Sequence, residues 1–161
     1  MTDTFYIKPD EATVEAPQVL VRKEFLDTVA DNNIRPTAII SAIAGLQRLQ
    51  EVSHYLMVKK GFWTNLETDE PIERNVGEML ALITSEISEA LAAHRSDLND
   101  DKVTHRKGIE VELVDAILRI TDTAQGLGLD LAGALQDKME FNLKRSDHKL
   151  ENRKKEHGKK Y

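Results

Sequence analysis

The stretch IEVELVDAILRITD, residues 109–122, decides the fold. At about 100° per residue, Ile109, Leu113, Ala116, Ile117 and Ile120 fall on one face of a helix, and Val111, Val114 and Leu118 on a second. A helix that is apolar on two sides is buried on two sides. Between those faces runs a narrow polar strip of Glu112, Asp115, Arg119 and Asp122. These acids have no easy route to open water, so the chain is expected to be all-α with this helix inside a bundle.

The neighbouring helix, expected over roughly residues 72–95, carries a matching feature. Glu86 falls amid Met79, Leu82, Ala90 and Ala93, within the apolar stripe, and Glu89 lies at its edge. Glu86 with Glu89 and Glu112 with Asp115 are both acid pairs at i, i+3, so each pair projects from one side of its helix. Burying several carboxylates together costs several kcal/mol per ion unless something neutralises them. Arg119 can offset one charge; a hard divalent cation offsets more and prefers oxygen ligands. The plainer alternative is a surface where the acids pair with Lys and Arg. Iron-binding bundles use Glu-x-x-His, but Ala92 follows Glu89 at that spacing and Leu118 follows Asp115. All-oxygen ligation points to magnesium, with manganese as the second choice, and to phosphate chemistry.

Outward from this pair of helices, Thr37 is expected to cap a helix reaching Lys60 and stopped by Gly61. A further helix is expected from about Asp130 to Leu150, and a short one from about Val19 to Ala30. The expected architecture is a four-helix bundle over residues 37–150, an N-terminal extension over 1–36 with an extended arm at 1–17, and a basic tail over 151–161. At 161 residues with 5% aromatics, the chain has one domain's worth of core and the composition of packed helices. The absence of cysteine excludes disulfides and thiol nucleophiles. No secretory signal is visible at the start, and no apolar run approaches membrane-spanning length, so a cytoplasmic protein is expected. The net charge of −6 argues against a nucleic-acid polymer as partner. From Lys138 to Tyr161, nine Lys or Arg stand against four acids. That suits carboxylates holding a cation while basic groups hold phosphates; a solvated basic tail is the alternative.

The motifs SEISEA (85–90) and ELVDAILRITD (112–122), together with KKGFW (59–63), KMEFNLKR (138–145) and the closing HGKKY, resemble the MazG-like, all-α nucleoside triphosphate pyrophosphohydrolase superfamily. The superfamily carries E-x-x-E on one helix, E-x-x-D on the next, then K-x-x-x-N-x-x-R, and the matches run from about residue 37 to the end. Many members have paired glutamates at the start of the first motif, where this chain has Ser85 before Glu86; that departure bears on the number of metal ions. The resemblance implies that Glu86, Glu89, Glu112 and Asp115 are the catalytic, magnesium-ligating residues and that Lys138, Asn142 and Arg145 contact phosphates or sugar. Spacings of four and three put that trio on one helical face; salt bridges between helices are the other role such a trio can play. Trp63 reads as a stacking platform for a nucleobase or as a plug over the bundle end. His54 precedes it by a spacing similar to a substrate-contacting pair in dCTP-cleaving members, or is an ordinary core or surface histidine.

The activity implied is hydrolysis of an NTP or dNTP to the monophosphate and pyrophosphate, by water attacking the α-phosphorus. Phosphoribosyl-ATP pyrophosphohydrolase is a sibling within the same superfamily. The rival class is a non-catalytic helical module that binds a nucleotide or a protein. Because one helix has two apolar faces to cover, a homodimer or a tetramer of dimers is expected, with the site near a subunit interface.

Overall fold

The computed structural model describes residues 21–159. The extended arm expected over 1–17 and the last two residues of the tail lie outside the described residues, as does the expected start of the first helix at Val19. The described residues are all-helical: α1 (Lys23–Asp31), α2 (Pro36–Lys59), α3 (Val76–Ser96), α4 (Gly108–Gly126), α5 (Leu131–Lys144), a 3-10 turn at Ser146–His148, and the four-residue α6 (Leu150–Arg153). Strand-like pairing among them is limited to two isolated bridges in loops, Thr64 with Pro71 and Asn99 with Lys107. No helix among them is long and apolar enough to cross a membrane.

The chain divides into two compact units. The first comprises the described residues 49–129: the second half of α2, then α3 and α4. Here α3 and α4 pack along one another. A Cβ on Gly108, at the start of α4, would stand 2.9 Å from the Cβ of Ala93, near the end of α3, so the two helices are antiparallel and close where they meet. The end of α2 joins α4 through polar contacts: Ser53 Oγ donates to Thr121 Oγ1 at 2.8 Å, and Gln50 Nε2 donates to Gln125 Oε1 at 3.0 Å and to the Leu129 carbonyl at 2.7 Å. Val58, Trp63 and Met79 form a small buried cluster with Met57 packed against it.

The second unit comprises described residues 21–48 and 130–159. Its core is Phe25 and Val29 of α1, Ile39 and Ile43 of α2, and Ala132 of α5, with Leu135, Met139 and Leu143 packed against it. Arg22 fastens the entry of α1 to α5, its guanidinium reaching Asp137 at 2.5 Å and Glu140 at 2.7 Å.

Several helix ends differ from the sequence expectation, each for a local reason. Pro36, not Thr37, opens α2; its missing N–H and fixed φ suit the first helical position, which puts Thr37 inside the first turn. Gly61, at φ +79°, ends α2 as expected. The following helix starts at Val76 rather than 72, because the Ile72 N–H is taken by the Trp63 carbonyl (3.1 Å) and Asn75 caps the helix by accepting from the Glu78 N–H (3.1 Å). The helix around 109–122 is expected from the sequence over roughly 104–125; α4 starts at Gly108 instead, since residues 98–108 close a turn: Asp100 N–H to the Arg106 carbonyl and Gly108 N–H to the Leu98 carbonyl, both 3.0 Å. The helix expected to run to Leu150 stops at Lys144. Arg145 adopts extended backbone (ψ 126°) and its guanidinium grips Asp147 with two bonds, of 2.9 and 2.6 Å.

Candidate functional site

Along the α3–α4 contact, Glu86, Glu89 and Glu112 each offer a carboxylate oxygen, and these oxygens all lie within 4.8 Å of one another. Glu86 is 6% exposed, Glu112 is half-buried and Glu89 is exposed, so the cluster opens from the helix interface to the surface. Asp115 is not within that trio. Its carboxyl is half-buried one turn along α4 and lies in the field of Glu86.

The electrostatics are those of an under-neutralised group. Burial, the Glu89 charge and a hydrogen bond with Glu86 push the Glu112 carboxyl above the ordinary carboxylate range, with Glu86 and Asp115 adding repulsion. The Asp115 carboxyl is also pushed up, by burial first and then by Glu86; Arg119 opposes this, Asp100 adds to it and Lys102 opposes it. One internal cation is present: Arg119 Nε donates to Glu86 Oε1 at 2.5 Å. A single guanidinium on three converging carboxylates leaves excess negative charge, and Glu and Asp oxygens at this spacing are the donor set that magnesium or manganese takes. The residues present therefore fit such an ion.

The polar strip of α4 does not end at Arg119. Asp122, 15% exposed, brings two rings to one oxygen: it accepts from the Trp63 indole N–H at 2.9 Å and lies within hydrogen-bond distance of His54 Nδ1, also 2.9 Å. The His54 and Trp63 rings meet edge to face, with centroids 4.9 Å apart and planes at 74°. Trp63 is 8% exposed, with its ring edge against Gly126 and the Arg74 guanidinium 5.8 Å from its ring centre. His54 and Trp63 are thus brought together, by a residue that the sequence reading left in the strip without a role. The available signal was the continued spacing of Glu112, Asp115, Arg119 and Asp122 at three, four and three.

In the second unit, Lys138 and Asn142 lie on α5, and Arg145 is the first residue past it. The shared helical face expected for the trio is therefore broken at its third member. Lys138 and Arg145 nonetheless meet over one side chain, Phe141, their cationic atoms 5.3 and 5.5 Å from its ring centre. Phe141 is 56% exposed and went unremarked in the sequence, although it stands at i+3 from Lys138 and i−4 from Arg145. Asn142 and Arg145 line an open groove of about 980 Å³ together with His148, Lys149 and Lys154, over Met139 and Leu143. The Asn142 side-chain oxygen is buried without a hydrogen-bond partner among the described residues. Comparison with family models, with curated proteins and with solved structures gives no match.

Proposed function

We propose that this chain is a magnesium-dependent nucleoside triphosphate pyrophosphohydrolase, cleaving an NTP or dNTP into the monophosphate and pyrophosphate. The observation that carries this reading is the convergence of Glu86, Glu89 and Glu112 within 4.8 Å on two packed helices, one of them buried. In this reading Glu86, Glu89, Glu112 and Asp115 hold the ion, and manganese can replace magnesium there. When bound, the ion neutralises the triphosphate and the charge that grows on the departing pyrophosphate.

The chain's own residues do the rest. Arg119 holds one oxygen of Glu86 and so sets the orientation of the deepest carboxylate. Water attacks the α-phosphorus, the bond from that phosphorus to the bridging oxygen of the β-phosphate breaks, and the water's proton leaves toward the carboxylates. The resemblance assigns phosphate or sugar contacts to Lys138, Asn142 and Arg145; within their own unit, the unpartnered Asn142 oxygen and the groove that it lines with Arg145, Lys149, Glu151 and Lys154 support a polar ligand. His54 and Trp63 both bond to Asp122, which continues the strip of acids on α4 about 10 Å beyond Asp115 at 1.5 Å per residue. That is the span of an extended nucleotide, and it supports base or sugar contact by this pair.

The finer architecture belongs to the same proposal: α2 to α5 as a four-helix bundle of MazG-like kind, with an N-terminal extension, acting in the cytoplasm. So does a homodimer or a tetramer of dimers. On α3, Val76, Leu80, Ile87 and Leu91 share one face and are all exposed, Leu80 at 55% and Leu91 at 53%. On α4, Leu113, Ile117 and Ile120 repeat the pattern. Apolar stripes of this extent on a single chain call for a partner. The non-catalytic module remains the rival, and the Arg119–Glu86 pair favours it to the extent that it neutralises the buried acid internally.

A pyrophosphate-release assay over canonical NTPs and dNTPs, with and without magnesium, decides between them. The expected result is release that requires the metal and falls on the order of a hundredfold or more in Glu89→Gln and Asp115→Asn. Binding of triphosphates without turnover of any of them would establish the rival.

A further inference from the structure

Asp122 lies outside the acid cluster and carries a geometry of its own. It is a nearly buried carboxylate on α4, and one oxygen, Oδ1, accepts from two rings that reach it from the end of α2 and from the loop beyond. An ionised carboxylate only accepts, so the proton in the bond to His54 sits on Nδ1. In the neutral imidazole, Nε2 is then left with its lone pair. Nε2 has no partner among the described residues, and His54 keeps 19% of its side chain exposed. Trp63 cannot turn away: its indole N–H is used by Asp122, its edge rests on Gly126, and the Arg74 guanidinium over its ring is itself anchored to the Phe62 carbonyl at 2.7 Å. The packed indole and the carboxylate form a rigid seat, and the imidazole is the member with a free hydrogen-bonding atom.

We infer that Asp122 is a positioning residue: it holds His54 as the Nδ1–H tautomer so that Nε2 accepts a hydrogen bond from a donor group on the base or sugar of a bound nucleotide. This rests on the proposed nucleotide-binding reading, since it is the acid cluster, nearly three helical turns away along α4 at Glu112, that places the phosphates. Asp122 acts through His54 and touches no substrate.

The test uses the full chain. Long-range ¹H–¹⁵N spectra report the His54 tautomer directly, with His54→Gln providing the assignment. Calorimetry with magnesium and α,β-methylene nucleoside triphosphates, over purine and pyrimidine bases, reports affinity without chemistry. The wild-type protein is expected to show Nδ1–H. Asp122→Asn keeps a carbonyl oxygen in place and is expected to retain that tautomer and an affinity near wild type. Asp122→Leu is expected to shift His54 toward Nε2–H and to weaken binding about tenfold, the worth of one hydrogen bond. His54→Gln should lose a similar factor, and the double variant should bind no more weakly than His54→Gln alone. An Nε2–H tautomer in the wild type, additive losses in the double variant, or no binding of any analogue by the wild type would each overturn the inference. Should Asp122→Leu fail to fold, the wild-type tautomer and the comparison of Asp122→Asn with His54→Gln still decide it. Analogue binding with this dependence but no pyrophosphate release from hydrolysable substrates would sink the hydrolase reading and leave Asp122's role standing.

Discussion

Glu112 concentrates the physics of the candidate site. Its carboxyl is raised by burial and by its acidic neighbours. A carboxyl whose value is higher in the folded than in the unfolded chain favours folding while it is protonated. That contribution is fully present below the ordinary carboxylate range and is lost as pH rises through the raised value. In metal-free protein, Glu112→Gln removes the loss. Its Tm should therefore match wild type near pH 4 and exceed it increasingly toward neutral pH, where Glu is otherwise ionised. Magnesium should reverse the order, because only the wild type gains full ligand stabilisation, about 2.7 kcal/mol at a hundredfold excess over Kd. A thermal melt series in chelator and in magnesium checks this; a Glu112→Gln protein that melts lower than wild type in chelator at neutral pH contradicts it. The placement of Glu86 inside an apolar stripe was legible from helical period alone, and Glu86 is buried. Asp122's two donors were not legible, because they come from residues 59 and 68 positions away and only tertiary packing delivers them.

At the scale of elements, the α4 end and the loop after α2 are locked by one close approach. A Cβ at Gly126 would stand 2.1 Å from the Trp63 ring, which is buried and hydrogen-bonded and so cannot yield cheaply. Gly126→Ala gains up to about 1 kcal/mol of helix propensity. Overpacking typically costs about 1–3 kcal/mol, so a net fall in Tm is expected, of about 2–4 °C per kcal/mol in a chain of this size. Tryptophan fluorescence, with Trp63 the sole tryptophan, should shift in the same variant; an unchanged spectrum and Tm would show that the ring is free to move. Helix existence was readable from apolar spacing, whereas several ends were not. The start of α3 depends on Ile72 bonding back to Trp63, the start of α4 on the turn closed by Asp100 and Arg106, and the end of α5 on the Arg145–Asp147 fork. None of these leaves a mark in hydropathy, so the expected helices ran too long at those points.

For the whole molecule, the exposed stripes of α3 and α4 predict association. Sedimentation of the wild type at micromolar concentration should show a dimer or tetramer, and Leu80→Glu with Leu91→Glu should show a monomer that still folds, since exposed substitutions cost within about 0.5 kcal/mol each. A wild-type monomer would contradict the prediction. The central claim, that acids from two packed helices share a divalent ion, is reached most directly by titrating the full, metal-free chain with Mn²⁺ and following binding by calorimetry. The account predicts saturable binding that weakens at least about tenfold in each of Glu86→Gln, Glu89→Gln and Glu112→Gln, and that is unaltered in Glu78→Gln, an exposed acid on the first turn of the same helix. Absence of saturable binding, or equal loss in Glu78→Gln, would contradict it.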